Sequence, residues 1–236
     1  MNKKILSLKK LLKEIIRRYD MRCLDKIRYL ENYRCREKRY LIYKKYLKSL
    51  GENVIIDTGV FIYGMEYVTI QDNTHIDKNC IIVGSSPNLD LSSRIVKEIL
   101  NNTDIIEKGE VYIGKDCHIS QNTMVFGYGG VYIGNNCVMS TGSKIYSLTS
   151  MPTNPFDLSE IISIVPYDGI SPTLIGKVVL EENTWIGINV VVSPGITIKK
   201  NSFVRSNSFV LDSFEENSYI AGDPAVYKHK RFKSSG

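Results

Sequence analysis

Two hydrophobic periodicities divide the chain. Between Ile5 and Leu47, the apolar positions Leu11, Leu12, Ile15, Ile16, Leu24, Ile27, Leu30, Tyr33, Tyr40, Leu41 and Tyr46 recur mostly at spacings of three and four among lysines and arginines. No proline interrupts them, so the pattern predicts one or two amphipathic helices, closed by Gly51. From Val54 the period becomes six. Leu180, Ile186, Val192, Ile198, Val204 and Val210 follow one another without a slip. An earlier block runs Ile113, Ile119, Val125 and then, after a two-residue slip, Ile133, Met139, Ile145. A third runs Ile56, Ile62 and, after the same slip, Ile70, Ile76, Ile82.

Two positions before these aliphatic residues a smaller side chain is common: Thr74, Cys80, Cys117, Cys137, Ser143, Thr184, Ser202, Ser208. Glycine often follows them, as at Gly114, Gly134 and Gly187. Three six-residue faces make one triangular turn, with the aliphatic residue inside and the small residue near the corner. A single turn has no closed core, so turns must stack into a solenoid. The prediction is a mainly β, parallel coil.

Two segments break the frame. Residues 83–110 hold a predicted short helix around Ser93–Leu100, and residues 146–176 carry Pro152, Pro155, Pro166 and Pro172, which cannot continue a coil. Interruptions of this length usually serve function. The repeat is expected to end near Leu211. The organisation read from the sequence is therefore a helical segment at 1–50, a coil at 51–211 and an irregular, basic tail at 212–236.

Charge sharpens this division. Residues 1–50 hold 17 Lys+Arg against 5 Asp+Glu, a balance of +12 that leaves −6 for the remainder of a chain whose net charge is +6. The five cysteines form no CxxC pair, and Cys80, Cys117 and Cys137 fall on the small inward position, so they read as reduced packing residues. No apolar run has the length of a membrane span, and no signal-peptide core follows the first lysines. A cytoplasmic location is the expectation.

The stretches WIGINVVVSPGITI (185–198), NSFVRSNSFV (201–210) and YIAGDPAVYKHKR (219–231) resemble the closing part of the hexapeptide-repeat acyltransferases, most of all the O-acetyltransferases that modify bacterial surface polysaccharides. The resemblance covers roughly 52–231. It implies a left-handed parallel β-helix with an N-terminal α-helical segment, a homotrimer, acetyl-CoA as acyl donor, a carbohydrate acceptor and no metal. Carried onto this chain, it sets Ser140 against the pantetheine amides, with Gly187 and Ser206 offering backbone groups to the same arm. It puts Trp185 beside that arm at an outward corner, and Lys228, Lys230 and Arg231 near the phosphates. Packing alone for Trp185 and a solvated terminus for the three cations are the plainer readings.

One element of the pattern is missing. Sugar O-acetyltransferases place a basic histidine at the start of the loop after the coil, in a pattern like SLTNHYRNP. Here that stretch reads SLTSMPTNP, so Ser150 or Met151 stands in its place, and neither is a base at neutral pH. Three histidines exist, at 75, 118 and 229. His229 lies in the tail and His75 reads as an exposed surface residue. His118, with Ser120, Asn122 and Tyr128 nearby, occupies the coil where the resemblance sets the acceptor, and is the candidate base.

The carboxylates Asp157, Glu160 and Asp168 are alternatives. So is an amine acceptor on a nucleotide-linked amino sugar, which attacks a thioester without prior deprotonation. A non-catalytic scaffold is the remaining reading. A carbonic anhydrase is excluded because histidines 75, 118 and 229 do not give its zinc spacing. The basic head lacks a nucleic-acid motif, so no nucleic acid is expected. It fits an anionic membrane, at the inner face, or helix pairing within a trimer.

Overall fold

A computed structural model describes residues 3–101, 103–162 and 171–232. The head is a helical hairpin, α1 (Lys3–Ile27) and α2 (Tyr33–Tyr46). Asn32 caps α2 by accepting the Cys35 N–H. The buried Arg39 guanidinium donates to the carbonyls of Ile27 and Leu30, at the C-terminal end of α1 and in the turn that follows it. Asp20 on α1 accepts from Lys45 Nζ at 2.6 Å and from the Tyr46 hydroxyl at 2.7 Å on α2.

The hairpin sits on the first coil turn. Leu24, Ile27, Ile42, Tyr43 and Leu47 join one continuous core with Leu50 and Ile56. The Tyr43 hydroxyl and Arg28 both donate to the Val60 carbonyl, and burial pushes the Tyr43 phenol up to about 12. The two helices thereby cover the end of the solenoid, which would otherwise expose its apolar interior.

The body is a three-sided prism of parallel strands, wound left-handed. The first face stacks Ser49–Leu50, Val68–Ile70, Val111–Ile113, Val131–Ile133, Val178–Leu180 and Thr197–Ile198. The second stacks Ile55–Ile56, His75–Ile76, His118–Ile119, Val138–Met139, Trp185–Ile186 and Phe203–Val204. The third runs from Phe61–Tyr63 through Ile81–Val83, Met124–Phe126, Lys144–Tyr146 and Val191–Val192 to Phe209–Val210. The six-residue aliphatic positions are the buried interior, and Ile76, Ile119, Met139, Ile186 and Val204 lie directly above one another on the second face. Cys80, Cys117 and Cys137 are buried beside them, and burial pushes the Cys80 thiol up to about 12.

The corners explain a pattern that the six-residue frame leaves out. Among the described residues, ten asparagines and Asp116 have positive φ, and each lies three positions before an inward aliphatic residue, as Asn73 does before Ile76 and Asn122 before Val125. The left-handed conformation costs most L-residues roughly 1–2 kcal/mol, and asparagine tolerates it through local hydrogen bonding. Asparagine is therefore the turn residue of this coil.

Two expectations need correction. Residues 93–100 form no helix: Arg94–Glu98 is a strand, parallel to Ser171–Ile175, which in turn pairs antiparallel with Leu148–Ser150. The two interruptions fold onto each other, and Ile95 and Val96 suit the strand that this pairing offers. The tail is not irregular either. Ser218–Gly222 adds one more rung to the second face, with Ile220 over Val204, and Ala225–Lys230 returns antiparallel to cover the open edge. Phe214 bridges to Ile198 four residues after Val210, so the last turn is two residues short and falls out of the six-residue frame.

Candidate active site

The second face carries the candidate residues on its outer side. The residue before each inward aliphatic points outward, and register stacks Ile55, His75, His118, Val138, Trp185, Phe203 and Tyr219 in one column. The residue after each inward aliphatic starts the adjoining corner, giving Asp57, Asp77, Ser120, Ser140, Gly187 and Arg205.

His75 and His118 stack with ring centroids 5.4 Å apart. Asp77 lies between them: Oδ2 is 3.0 Å from His118 Nε2 and Oδ1 is 3.1 Å from His75 Nε2. Asp57 Oδ2 also reaches His75 Nε2 at 3.2 Å, and Arg36 on α2 stands 3.6 Å from Asp57. His75 is therefore half-buried in an ionic cluster, not a free surface histidine. A carboxylate at Nε2 holds the proton there, which leaves Nδ1 of His118 as the acceptor. That is the tautomer a general base needs.

Trp185 lies two rungs above His118, roughly 10 Å away at the ~4.8 Å spacing of paired strands. Its indole N–H donates to Ser140 Oγ at 2.9 Å, and its ring meets Phe203 edge-on. Trp185 keeps 45% of its surface exposed even so. Gly187 is required by close approach, because a Cβ there would lie 2.5 Å from the Ser206 nitrogen. Its own N–H is committed to the Val204 carbonyl, so Gly187 has no N–H to offer a ligand. Ser206 Oγ accepts the Ile188 N–H.

Of the three tail cations, Arg231 donates to the carbonyls of Asn183 and Ser202, while Lys228 and Lys230 are exposed on the last strand. His229 stacks on Tyr219 at 4.5 Å, far up the column from His118.

The expected acceptor residues are divided between two edges of the prism. Ser120 and Asn122 lie at the corner beside His118, where Asn122 is one of the left-handed turn residues. Tyr128 follows the third face and stacks near Phe126, and Ser150 and Met151 begin the loop leaving that face. Ser150 Oγ accepts from Ser171, and the Met151 N–H bonds the Pro172 carbonyl, within the small sheet of the two interruptions. Asp157 is engaged by the Ser159 hydroxyl and N–H, which hold its carboxyl below the usual range, and Glu160 accepts from Asn154. Asp168 lies outside the described residues. Sequence reasoning missed Asp57 and Asp77, although each is the acid that follows an inward isoleucine in its repeat.

Comparison with known proteins agrees with the six-residue frame. The family described as bacterial transferase hexapeptide (six repeats) matches residues 177–212, and hexapeptide repeat of succinyl-transferase matches 110–147. A galactoside O-acetyltransferase from Lactococcus lactis is 41% identical over 54 residues, which is 23% of this chain and only 26% of that relative. An Escherichia coli dTDP-4-amino-4,6-dideoxy-D-glucose acyltransferase is 25% identical over 186 residues, covering 79% of this chain and 83% of that one. Among solved structures, the Bacillus cereus N-acyltransferase AntD, in complex with dTDP and 3-hydroxybutyryl-CoA, superposes with a TM-score of 0.60 at 21% identity, covering 80% of this chain and 86% of that one. A hexapeptide-repeat acetyltransferase from Vibrio cholerae, complexed with acetyl coenzyme A, gives 0.51 at 17% identity over 93% of this chain and 89% of that one. The chain thus carries hexapeptide repeats in two separate blocks and shares the left-handed β-helix fold of these acyltransferase structures along most of its length.

Proposed function

We propose that this protein transfers an acyl group, acetyl in the simplest case, from CoA to a hydroxyl of a bacterial surface polysaccharide or its precursor. The observation that carries the reading is the His118–Asp77 pair, set two rungs below Trp185 on the same face. It supplies the base that the loop sequence lacks. In the step envisaged, His118 Nδ1 takes the acceptor O–H proton as the oxygen attacks the thioester carbonyl. The carbon–sulfur bond then breaks and CoA leaves as the thiol after accepting that proton. Asp77 stabilises the imidazolium formed between the two transfers. The pantetheine arm would run along the Ser140–Gly187–Ser206 corner beside Trp185, with Lys228 and Lys230 toward the phosphates.

One observation favours a second acceptor. The Escherichia coli relative that spans most of the chain is named for acyl transfer to a nucleotide-linked amino sugar, whereas the galactoside O-acetyltransferase match is local. An amine acceptor uses the same donor corner. Thiol release from acetyl-CoA, measured with sugar hydroxyl acceptors and with dTDP-linked amino sugars, separates the two. No release with either, together with no CoA binding, would leave the scaffold reading.

A homotrimer fits the divided acceptor residues. Tyr128, Ser150 and Met151 lie on a different edge from His118 in one chain, so a neighbouring copy would bring the two sets together across a groove. Among the described residues no helix is long and apolar enough to cross a membrane. The basic head instead offers a peripheral contact. Leu11, Leu12, Ile15, Ile16 and Tyr19 form an exposed stripe on α1, roughly opposite the buried Leu24 at ~100° per residue. Lys9 and Lys13 flank one side and Arg18 the other, which is the design of a helix that lies on anionic lipid.

A further inference from the structure

The cluster around His118 holds more ligand chemistry than a base and its carboxylate require. We propose that His75, His118, Asp77 and Asp57 form a site for one divalent transition-metal ion, with Zn2+ the best fit, and that its occupancy withdraws His118 from catalysis. The second half of this proposal rests on the acyl-transfer reading; the binding site does not.

The donors come from three consecutive rungs of one face. Nε2 of His75, Nε2 of His118 and the Asp77 carboxylate converge with all ligand atoms within 4.8 Å of one another, and Asp57 Oδ2 adds a fourth donor 3.2 Å from His75 Nε2. In a tetrahedral zinc site, bonds of about 2.0–2.1 Å place neighbouring ligand atoms about 3.3 Å apart. The nitrogen–oxygen separations here are 3.0, 3.1 and 3.2 Å. An ion could enter with small side-chain movements.

Charge points the same way. Three nitrogen–oxygen contacts need three protons or one cation, but two neutral imidazoles carry only one Nε2 proton each. His75 Nε2 faces both Asp57 and Asp77 and cannot donate fully to both. Arg36, at 3.6 Å, offsets Asp57 only in part. One divalent ion with two neutral imidazoles and two carboxylates is electrically balanced.

Mixed imidazole and carboxylate donors select Zn2+, and Co2+ or Ni2+ after it, over the all-oxygen preference of Mg2+ and Ca2+. The donors are also held in advance. The Asp57 and Asp77 side chains are only 17% and 16% exposed, and strand pairing fixes the His75–His118 register.

The consequence for His118 concerns its tautomer. A metal bound at Nε2 takes the lone pair there, so the neutral ring carries its proton on Nδ1. That removes the acceptor atom that would receive the proton of the sugar hydroxyl. The ion acts as a reversible brake, and no net proton is lost from the ring. The brake does not make the ion a resident cofactor.

The test uses the full chain, stripped with EDTA. Co2+ titration should produce the intense visible bands of tetrahedral cobalt, saturating at one ion per chain, and Zn2+ should displace them. His75→Ala and Asp77→Asn should each weaken Zn2+ binding at least ~10-fold in competition with a chromophoric chelator, while His229→Ala should not. X-ray absorption at the zinc edge of the unmodified protein should report imidazole and oxygen donors, which keeps the test independent of variants that misfold. Sulfur donors, or equal affinity in the His75→Ala chain, would overturn the site. With an acceptor in hand, Zn2+ should inhibit thiol release and EDTA should restore it. Zinc binding at the four ligands without inhibition would overturn the brake alone. Absence of turnover under all conditions would count against the acyl-transfer reading and leave the spectroscopic result standing.

Discussion

Replacing Asp77 by asparagine probes the candidate base with little change of shape. The carboxylate lies 3.0 Å from His118 Nε2, and its side chain is mostly sheltered, whereas the imidazole is about half exposed. An asparagine can still accept the Nε2–H, so the ring can keep its tautomer. What disappears is the charge that stabilises the imidazolium. Unit charges about 4 Å apart interact by roughly 1 kcal/mol in water and about 4 kcal/mol at the effective dielectric of a protein surface. At 1.36 kcal/mol per tenfold in rate, this range corresponds to about 5- to 900-fold. A half-exposed pair belongs toward the middle, so kcat should fall roughly 10- to 100-fold.

Removing the base itself with His118→Ala should cost more, ~10²- to 10⁴-fold. The assay is free-thiol release from acetyl-CoA with a saturating acceptor, run beside equilibrium binding of CoA. Because the proposed donor corner lies one to three rungs higher, CoA affinity should be unchanged in both variants. An Asp77→Asn chain with wild-type kcat would refute the reasoning. So would a variant whose entire loss appears as weaker CoA binding.

Three further outcomes follow from the fold. Ile133 is fully buried and stacked between Ile113 and Leu180, so Ile133→Ala should destabilise the chain by about 2–5 kcal/mol, read by denaturant unfolding; a loss below ~1 kcal/mol would contradict a close-packed prism. Hydrogen bonds from Lys45 and then Tyr46 hold the Asp20 carboxyl below its ordinary value of 3.8, so its contribution is present above that pH and lost as pH falls through the depressed folded value. Asp20→Asn should remove that part of the acid dependence in a pH series of melts, and an unchanged series would sink the assignment. Ile15→Glu with Ile16→Glu should abolish flotation with phosphatidylglycerol-containing vesicles while the wild type floats; a changed oligomeric state without any vesicle binding would assign the stripe to contacts between copies.

The interior of the prism was legible because a solenoid repeats one packing decision. Ile119 and Ile186 occupy equivalent slots, and a period of six displays them all. The asparagine corners were equally visible in the letters, yet their meaning lies in a backbone conformation that no hydropathy pattern expresses. Arg94–Glu98 reads ambiguously on its own, and its partner, Ser171–Ile175, lies in another interruption more than 70 residues away. The last turn was hidden by two missing residues between Val210 and Phe214.

The same physics limited the reading of the site. His118 was singled out from its position on the coil, but Asp77 is 41 residues distant and becomes its neighbour only because the 83–110 interruption loops out between consecutive rungs. Conversely, Ser150 and Met151 lie nearer to His118 in sequence than Asp77 does, yet leave from another face.

Trp185 is the single tryptophan of the chain, so its emission reports on the proposed donor corner alone. Titrating acetyl-CoA into the 236-residue chain while following that emission is the most direct test of the account. A saturable change, reversed by competition with a pantetheine analogue, is the expected result. No binding at millimolar acetyl-CoA, or saturable binding by equilibrium dialysis with the Trp185 emission unchanged, would contradict it.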